Sequence, residues 1–194
     1  VNKDNSVKGL TMAQVDAIFS KSRRWGHNEN IQVWKQAGSA DGLGDSPISI
    51  YGRNSASGTY GFFKEHALKN GDFKDEVKEQ PGSASVVQSV SEDQSGIGYS
   101  GIGYLTSNVR AVPLAEKDGM PYKEASQQNA DDGSYPLWRH LYLYINKAPD
   151  KPLDPIVKEF IKFIYSKEGQ KVVIKDGFFP MKAETIEKEI KRLD

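Results

Sequence analysis

Ile48-Ser49-Ile50-Tyr51-Gly52-Arg53-Asn54-Ser55-Ala56-Ser57-Gly58-Thr59-Tyr60-Gly61-Phe62-Phe63 decides the fold of this chain. Ile48 and Ile50 alternate with Ser49 and Tyr51, the period of a half-buried strand. A run of small residues then turns the chain. Ser57 is a preferred helix N-cap, and Lys69-Asn70-Gly71 supplies a helix stop, so a helix fills the interval. The first turn of a helix carries N–H groups without partners and a partial positive charge. Ser57 and Thr59 add hydroxyl donors there, and Gly58 leaves the backbone open to close approach. Arg53, four residues before the cap, brings a planar fork of donors suited to an oxyanion. Charge, backbone donors and hydroxyls thus converge on one strand-to-helix joint, and phosphate is the first candidate for it. Turns of this composition are also common as plain capped turns that hold only water, so the residue types alone leave both outcomes open.

Outward from this joint the pattern stays alternating. Thr11-Met12-Ala13-Gln14 has the form of a capping box, and Met12, Val15, Ile18 and Phe19 make a helical stripe. Ile31 and Val33 predict a short strand, and residues 37–46 are a Gly/Asp/Ser-rich loop. Ser83 or Ser85 caps a helix carrying Val86, Val87 and Val90. Two short strands are expected near residues 98–104 and 109–112, and residues 117–133 form a polar surface excursion. Residues 141–146, rich in Leu, Tyr and Ile, predict a buried strand. Asp154-Pro155 is a helix start, with the cap followed by proline at the first position. Ile156, Val157, Phe160, Ile161 and Ile164 form that helix's apolar face. Further helices run near residues 168–175 and through Ile186, Ile190 and Leu193. Strands alternating with helices place the chain in the α/β class.

The 194 residues suffice for one sizeable domain, or one domain and part of another. A content of 37% hydrophobic and 27% charged residues is that of a globular protein. Lys plus Arg balance Asp plus Glu at 26 each, which argues against a nucleic-acid partner; such proteins carry a basic excess. A local array of dipoles with one Arg can still hold an anion at zero net charge. With no cysteine, disulfides, thiol catalysis and Cys-ligated zinc are excluded. No apolar run reaches the length of a membrane span, and no signal peptide is visible.

Three further signals are weighed and set aside. Gly96-Ile97-Gly98-Tyr99-Ser100-Gly101 matches Gly-x-Gly-x-x-Gly, but a dinucleotide site needs a helix directly after it. Ile102-Gly103-Tyr104-Leu105-Thr106 is strand-like instead, so these glycines are read as allowing close backbone packing. His27, His66 and His140 have no metal-ligand spacing. Ser57 has no base near it in sequence, and no Ser/His/Asp arrangement emerges. No cofactor, metal ligand or catalytic residue is expected.

Arg53-x-x-x-Ser57-Gly58-Thr59, opening a helix with aromatics behind it, resembles the signature of the phosphate-binding proteins of bacterial phosphate ABC transporters. The likeness extends in order along the chain: Asn5-Ser6-Val7-Lys8-Gly9-Leu10-Thr11, Ile18-Phe19-Ser20 with Trp25, Ser95-Gly96-Ile97-Gly98-Tyr99, Tyr135-Pro136-Leu137 with Leu141-Tyr142-Leu143-Tyr144, Ser166-Lys167-Glu168-Gly169-Gln170 and Gly177-Phe178-Phe179-Pro180. The resemblance implies a periplasmic-binding-protein-like clamshell of type II. Residues 6–137 would be its second lobe, carrying the anion loop. Residues 1–5 and 138–194 would be the remainder of the first lobe, with hinge crossings near 4–7 and 137–141. The family's early phosphate loops, with the carboxylate that accepts the proton of hydrogen phosphate, have no counterpart here. That departure, and Val1 in place of Met, imply a fragment with half a site.

On the family's pattern Arg53, Ser57, Gly58 and Thr59 bind inorganic phosphate. The implied partner is the membrane permease of the transporter, and the implied location is the periplasm or the cell exterior, with or without a lipid anchor. The broad apolar faces of residues 141–164 imply either a homodimer or a complementing N-terminal segment. Two other classes stand beside this one. One is an interaction or scaffold protein with a vestigial anion loop. The other is a phosphate-ester hydrolase, which would need a metal cluster or a nucleophile–base pair that the sequence does not offer.

Overall fold

The structure, a computed structural model, describes residues 1–39 and 42–193. The chain divides into two compact units, Val1–Arg139 and His140–Asp194. Residues 1–5, expected with the other lobe, fall in the first unit: Asn2 bridges Val109, and the Arg110 guanidinium donates to the carbonyl oxygens of Asn5 and Val7.

The first unit is a parallel α/β assembly. Strand β1 (Leu10–Thr11) runs into helix α1 (Met12–Phe19), and the capping box forms as its sequence predicts: Thr11 and Gln14 satisfy each other's backbone N–H. The stripe Met12, Val15, Ile18 and Phe19 is buried. Strand β2 (Ser49–Arg53) leads to helix α2 (Gly58–His66), β3 (Lys78–Gln80) to α3 (Ser83–Glu92), and β4 (Gly96–Gly98) follows. These strands form a parallel sheet in the order β3-β2-β4, so β2 is central and Arg53, Gln80 and Gly98 end on the same edge. Strand β5 (Leu114–Ala115) pairs in parallel with β1. Beneath α2 the rings of Phe63 and Tyr99 stack at 4.1 Å, and Phe19 meets Phe63 edge-on at 4.9 Å. Gly98 lets α3 lie close against the sheet. A Cβ there would stand 2.7 Å from Val86 Cγ1 and 3.2 Å from the Tyr51 carbonyl oxygen. The Gly-x-Gly-x-x-Gly stretch thus serves packing, as its context indicates.

Several local expectations are corrected. Val33 makes only an isolated bridge to Pro47 before a single 3-10 turn, Trp34–Ala37. The Gln36 side chain accepts the N–H groups of Gln32 and Val33, leaving them none to offer a neighbouring strand. Trp34 is fully buried, its indole N–H donating to the Ser95 carbonyl at 3.1 Å. The loop expectation over 37–46 includes Ala40 and Asp41, which lie outside the described residues; Gly38, in the left-handed region at φ 88°, closes the 3-10 turn. The cap of α3 is Gly82, not Ser83 or Ser85. The strand expected over 98–104 ends at Gly98, and Ile102–Tyr104 is a 3-10 turn. The strand expected over 109–112 forms instead at Leu114–Ala115, beyond Pro113, whose carbonyl accepts the Leu10 N–H. The polar excursion contains a short helix, α4 (Gln127–Asp131), capped by Ser126.

The second unit is helical. Helix α5 (Pro155–Tyr165) starts at Asp154, whose carboxylate accepts the N–H groups of Ile156 and Val157. Helix α6 (Lys167–Lys175) is capped by Ser166, and Gly177 follows its end at φ 82°. Helix α7 (Ala183–Ile190) runs into a final 3-10 turn. Gln170 ties these pieces together, donating to the Ile164 carbonyl and accepting the Met181 N–H at 2.8 Å each. The buried strand expected over 141–146 is absent: the segment is irregular, and Leu141 and Tyr144 are 68% and 93% exposed. A strand is stabilised by ladder partners, and no described strand pairs with this stretch. On α5 Ile161 is buried, while Ile156, Val157 and Phe160 face outward.

Candidate anion-binding site

Parallel strands gather their C-terminal ends on one edge, and ligands of open α/β sheets bind there. Here that edge presents the end of β2, the start of α2 and the start of α3. Arg53 is the last residue of β2 and half-buried. Asn54 to Ser57 form a turn, closed by Ser57 N–H donating to the Asn54 carbonyl at 3.1 Å.

Ser57 caps α2 as its sequence predicts. Its Oγ accepts the N–H groups of Thr59 at 3.1 Å and Tyr60 at 3.4 Å. A hydroxyl that accepts two N–H groups has its own proton left to donate outward. The N–H of Gly58 and the hydroxyl of Thr59 have no hydrogen-bond partner among the described residues, and a Cβ on Gly58 would meet no atom within 4 Å. Ser57, Gly58 and Thr59 therefore form a contiguous, open set of donors on the positive end of a helix.

The Arg53 guanidinium is engaged elsewhere. Its Nη1 donates to Ser83 Oγ at 2.9 Å, in the first turn of α3, and no hydrogen bond among the described residues joins its side chain to Ser57, Gly58 or Thr59. Its Nε is buried without a hydrogen-bond partner. No carboxylate among the described residues pairs with it. It borders a polar cavity of about 390 Å³ shared with Tyr60, Lys64, Lys74 and Glu79. The other cations of that cavity are committed. Lys64 pairs with Asp72 at 2.9 Å, which raises the Lys64 pKa and lowers that of Asp72. Lys74 is held by the Ala17 and Ile31 carbonyl oxygens, and its burial lowers its pKa.

Two residues escaped the sequence pattern. Ser83 holds the Arg53 side chain, and Tyr99 holds its backbone: the Tyr99 hydroxyl accepts the Arg53 N–H at 3.0 Å. Burial pushes the Tyr99 phenol up to about 12. The signal for Ser83 was its place at a helix start after a strand parallel to β2, which juxtaposes two helix N-termini on one edge.

Residues 1–168 match the model of a PBP superfamily domain. The chain is 55% identical over 193 residues to the phosphate-binding protein PstS of Pseudomonas aeruginosa, covering 100% of this chain and 60% of that protein. It is 33% identical to the phosphate-binding protein PstS of Staphylococcus haemolyticus, covering 100% of this chain and 58% of the relative. It thus spans about 60% of the length of these curated relatives. Among solved structures, a Clostridium perfringens protein with bound phosphate, named for a phosphate ABC transporter, superposes with a TM-score of 0.69. The two are 26% identical, over 94% of this chain and 67% of the other. A phosphate transport receptor from Vibrio cholerae, 21% identical, shares the fold at a TM-score of 0.65 over 93% of this chain and 67% of that one. With a family model spanning most of its length and the parallel α/β architecture behind it, this chain belongs to the PBP superfamily.

Proposed function

We propose that this chain binds inorganic phosphate, as part of the solute-binding component of a phosphate ABC transporter that hands the ion to a membrane permease. The observation that carries this is Arg53: a half-buried guanidinium with no carboxylate partner among the described residues, on the sheet edge where α2 opens with free donors. The phosphate-binding relatives support the choice of ion. Arg53, Ser57, Gly58 and Thr59 are the proposed ligands, and they supply one side of the site. Residues 6–137 correspond to the second lobe of the clamshell, with residues 138–194 belonging to the first. The protein works outside the cytoplasm, in the periplasm or at the cell exterior. Among the described residues no helix is long and apolar enough to cross a membrane.

A one-sided site leaves the ion partly in water, where screening weakens each contact. Calorimetric titration of this chain with phosphate is expected to give a Kd on the order of millimolar, weakening with salt. Arg53→Ala is expected to remove most of that binding with the fold intact, and Arg53→Lys to restore part of it, since an ammonium lacks the fork. Unchanged phosphate binding in Arg53→Ala would overturn the assignment. Turnover of a chromogenic phosphate ester would favour the hydrolase instead, and no anion binding at all would favour the interaction protein.

The apolar surface of the second unit supports a second element of the proposal, that it pairs with another copy or with a complementing segment.

A further inference from the structure

The guanidinium of Arg53 is a strong cation in a partly buried place, and such groups normally end in an ion pair. Here it does not. Among the described residues its one side-chain hydrogen bond goes to Ser83 Oγ at 2.9 Å, a neutral acceptor. Ser83 is itself buried, only 8% exposed, and sits in the first turn of α3. It is fixed from behind: Ser100 Oγ donates to the Ser83 carbonyl at 3.3 Å, and Gly82 begins the helix with no side-chain cap of its own. A rigid helix start thus meets the end of a central strand through one hydrogen bond.

We propose that Ser83 is a positioning residue for Arg53, holding the guanidinium by a neutral hydrogen bond that fixes its direction without cancelling its charge. This rests on the assignment of Arg53 to anion binding. A carboxylate at the same place would hold the side chain equally well but would occupy the cation, and an incoming anion would have to displace it. A hydroxyl leaves the full positive charge for a ligand, and the buried, unpartnered Nε of Arg53 is consistent with a group whose counter-charge comes from outside. Position 83 therefore sets whether the site is open to anions at all.

The test uses three variants of the full chain, with the Arg53 Nε–H resonance as a readout independent of phosphate. In the unsubstituted protein this proton is expected to be protected and sharp. Ser83→Ala is expected to broaden it, to speed its solvent exchange by about tenfold or more, and to weaken phosphate binding about tenfold. Ser83→Thr keeps the hydroxyl and is expected to restore both. Ser83→Asp suits a helix first turn, so α3 is retained. It is expected to keep the Nε–H sharp while abolishing phosphate binding, a split that a purely structural role would not produce. An unchanged Nε–H signal in Ser83→Ala overturns the positioning role even if phosphate binds elsewhere. Phosphate binding in Ser83→Asp equal to that of the unsubstituted chain overturns the charge argument. Failure of Arg53→Ala to alter binding, with the Ser83→Ala resonance broadened as expected, would count against the anion assignment and leave the positioning role standing.

Discussion

The hydroxyl of Tyr99 accepts the backbone N–H of Arg53 at 3.0 Å and lies 3.4 Å from the Arg53 carbonyl oxygen. One buried side chain therefore secures both polar groups of the residue where β2 ends. Its ring is locked in turn against Phe63. Tyr99→Phe keeps the stack and removes the hydrogen bond, orphaning the Arg53 N–H. The expected cost is about 1–3 kcal/mol, read as a lowered urea midpoint at unchanged slope. Phosphate binding is expected to fall several-fold, on the order of 1 kcal/mol, because Arg53 loses its backbone anchor. A variant as stable as the parent would show that the hydroxyl contributes nothing.

The same phenol makes stability depend on alkaline pH. An unfolded tyrosine ionises near 10. Burial holds Tyr99 neutral up to about 12, and burial pushes Tyr135 up as well. Between those limits the unfolded chain has fewer bound protons than the folded one, so stability falls as pH rises. The contribution is fully present below about pH 10 and is lost as pH rises through about 12. Urea midpoints measured across this window are expected to drop, and Tyr99→Phe is expected to flatten the drop in part. A rise in stability over the window would contradict the sign.

Gly58 separates fold from binding. Its φ is not left-handed, and a Cβ there meets nothing within 4 Å. Gly58→Ala is therefore expected to leave the melting temperature equal or raised, by up to about 1 kcal/mol of helix propensity. The added methyl would stand where an ion approaches the backbone, so phosphate binding is expected to weaken several-fold, on the order of 1 kcal/mol. Undiminished affinity would place the ion away from this N–H.

Self-association is expected through the second unit. Ile156 is 81% exposed, Phe160 60% and Leu141 68%. Sedimentation velocity is expected to show concentration-dependent association, and Phe160→Glu, a helix-compatible change, to abolish it. A clean monomer at all concentrations would remove the pairing of copies and leave the complementing segment as the proposed cover.

Local chemistry explains what the sequence reveals and what it conceals. Thr11, Ser57 and Asp154 cap helices through contacts two or three residues away, so those helix starts were legible. The turn at Ser57–Thr59 was legible for the same reason. The guanidinium of Arg53 was not, because its partner lies thirty residues on, across a sheet whose order no local pattern encodes. Residues 141–146 show the converse failure. Their β-rich composition records a preference for pairing, but pairing needs a second edge, and no described strand supplies one.

The division into two units has a spectroscopic consequence. Trp25, Trp34 and Trp138 all lie within Val1–Arg139, and Trp34 is sealed in its core. His140–Asp194 holds Tyr142, Tyr144 and Tyr165 but no tryptophan, together with helices α5, α6 and α7. Indole emission during unfolding therefore follows the sheet-bearing unit alone. Far-ultraviolet circular dichroism adds the three helices, so any gap between the two melting curves clocks the second unit without a label.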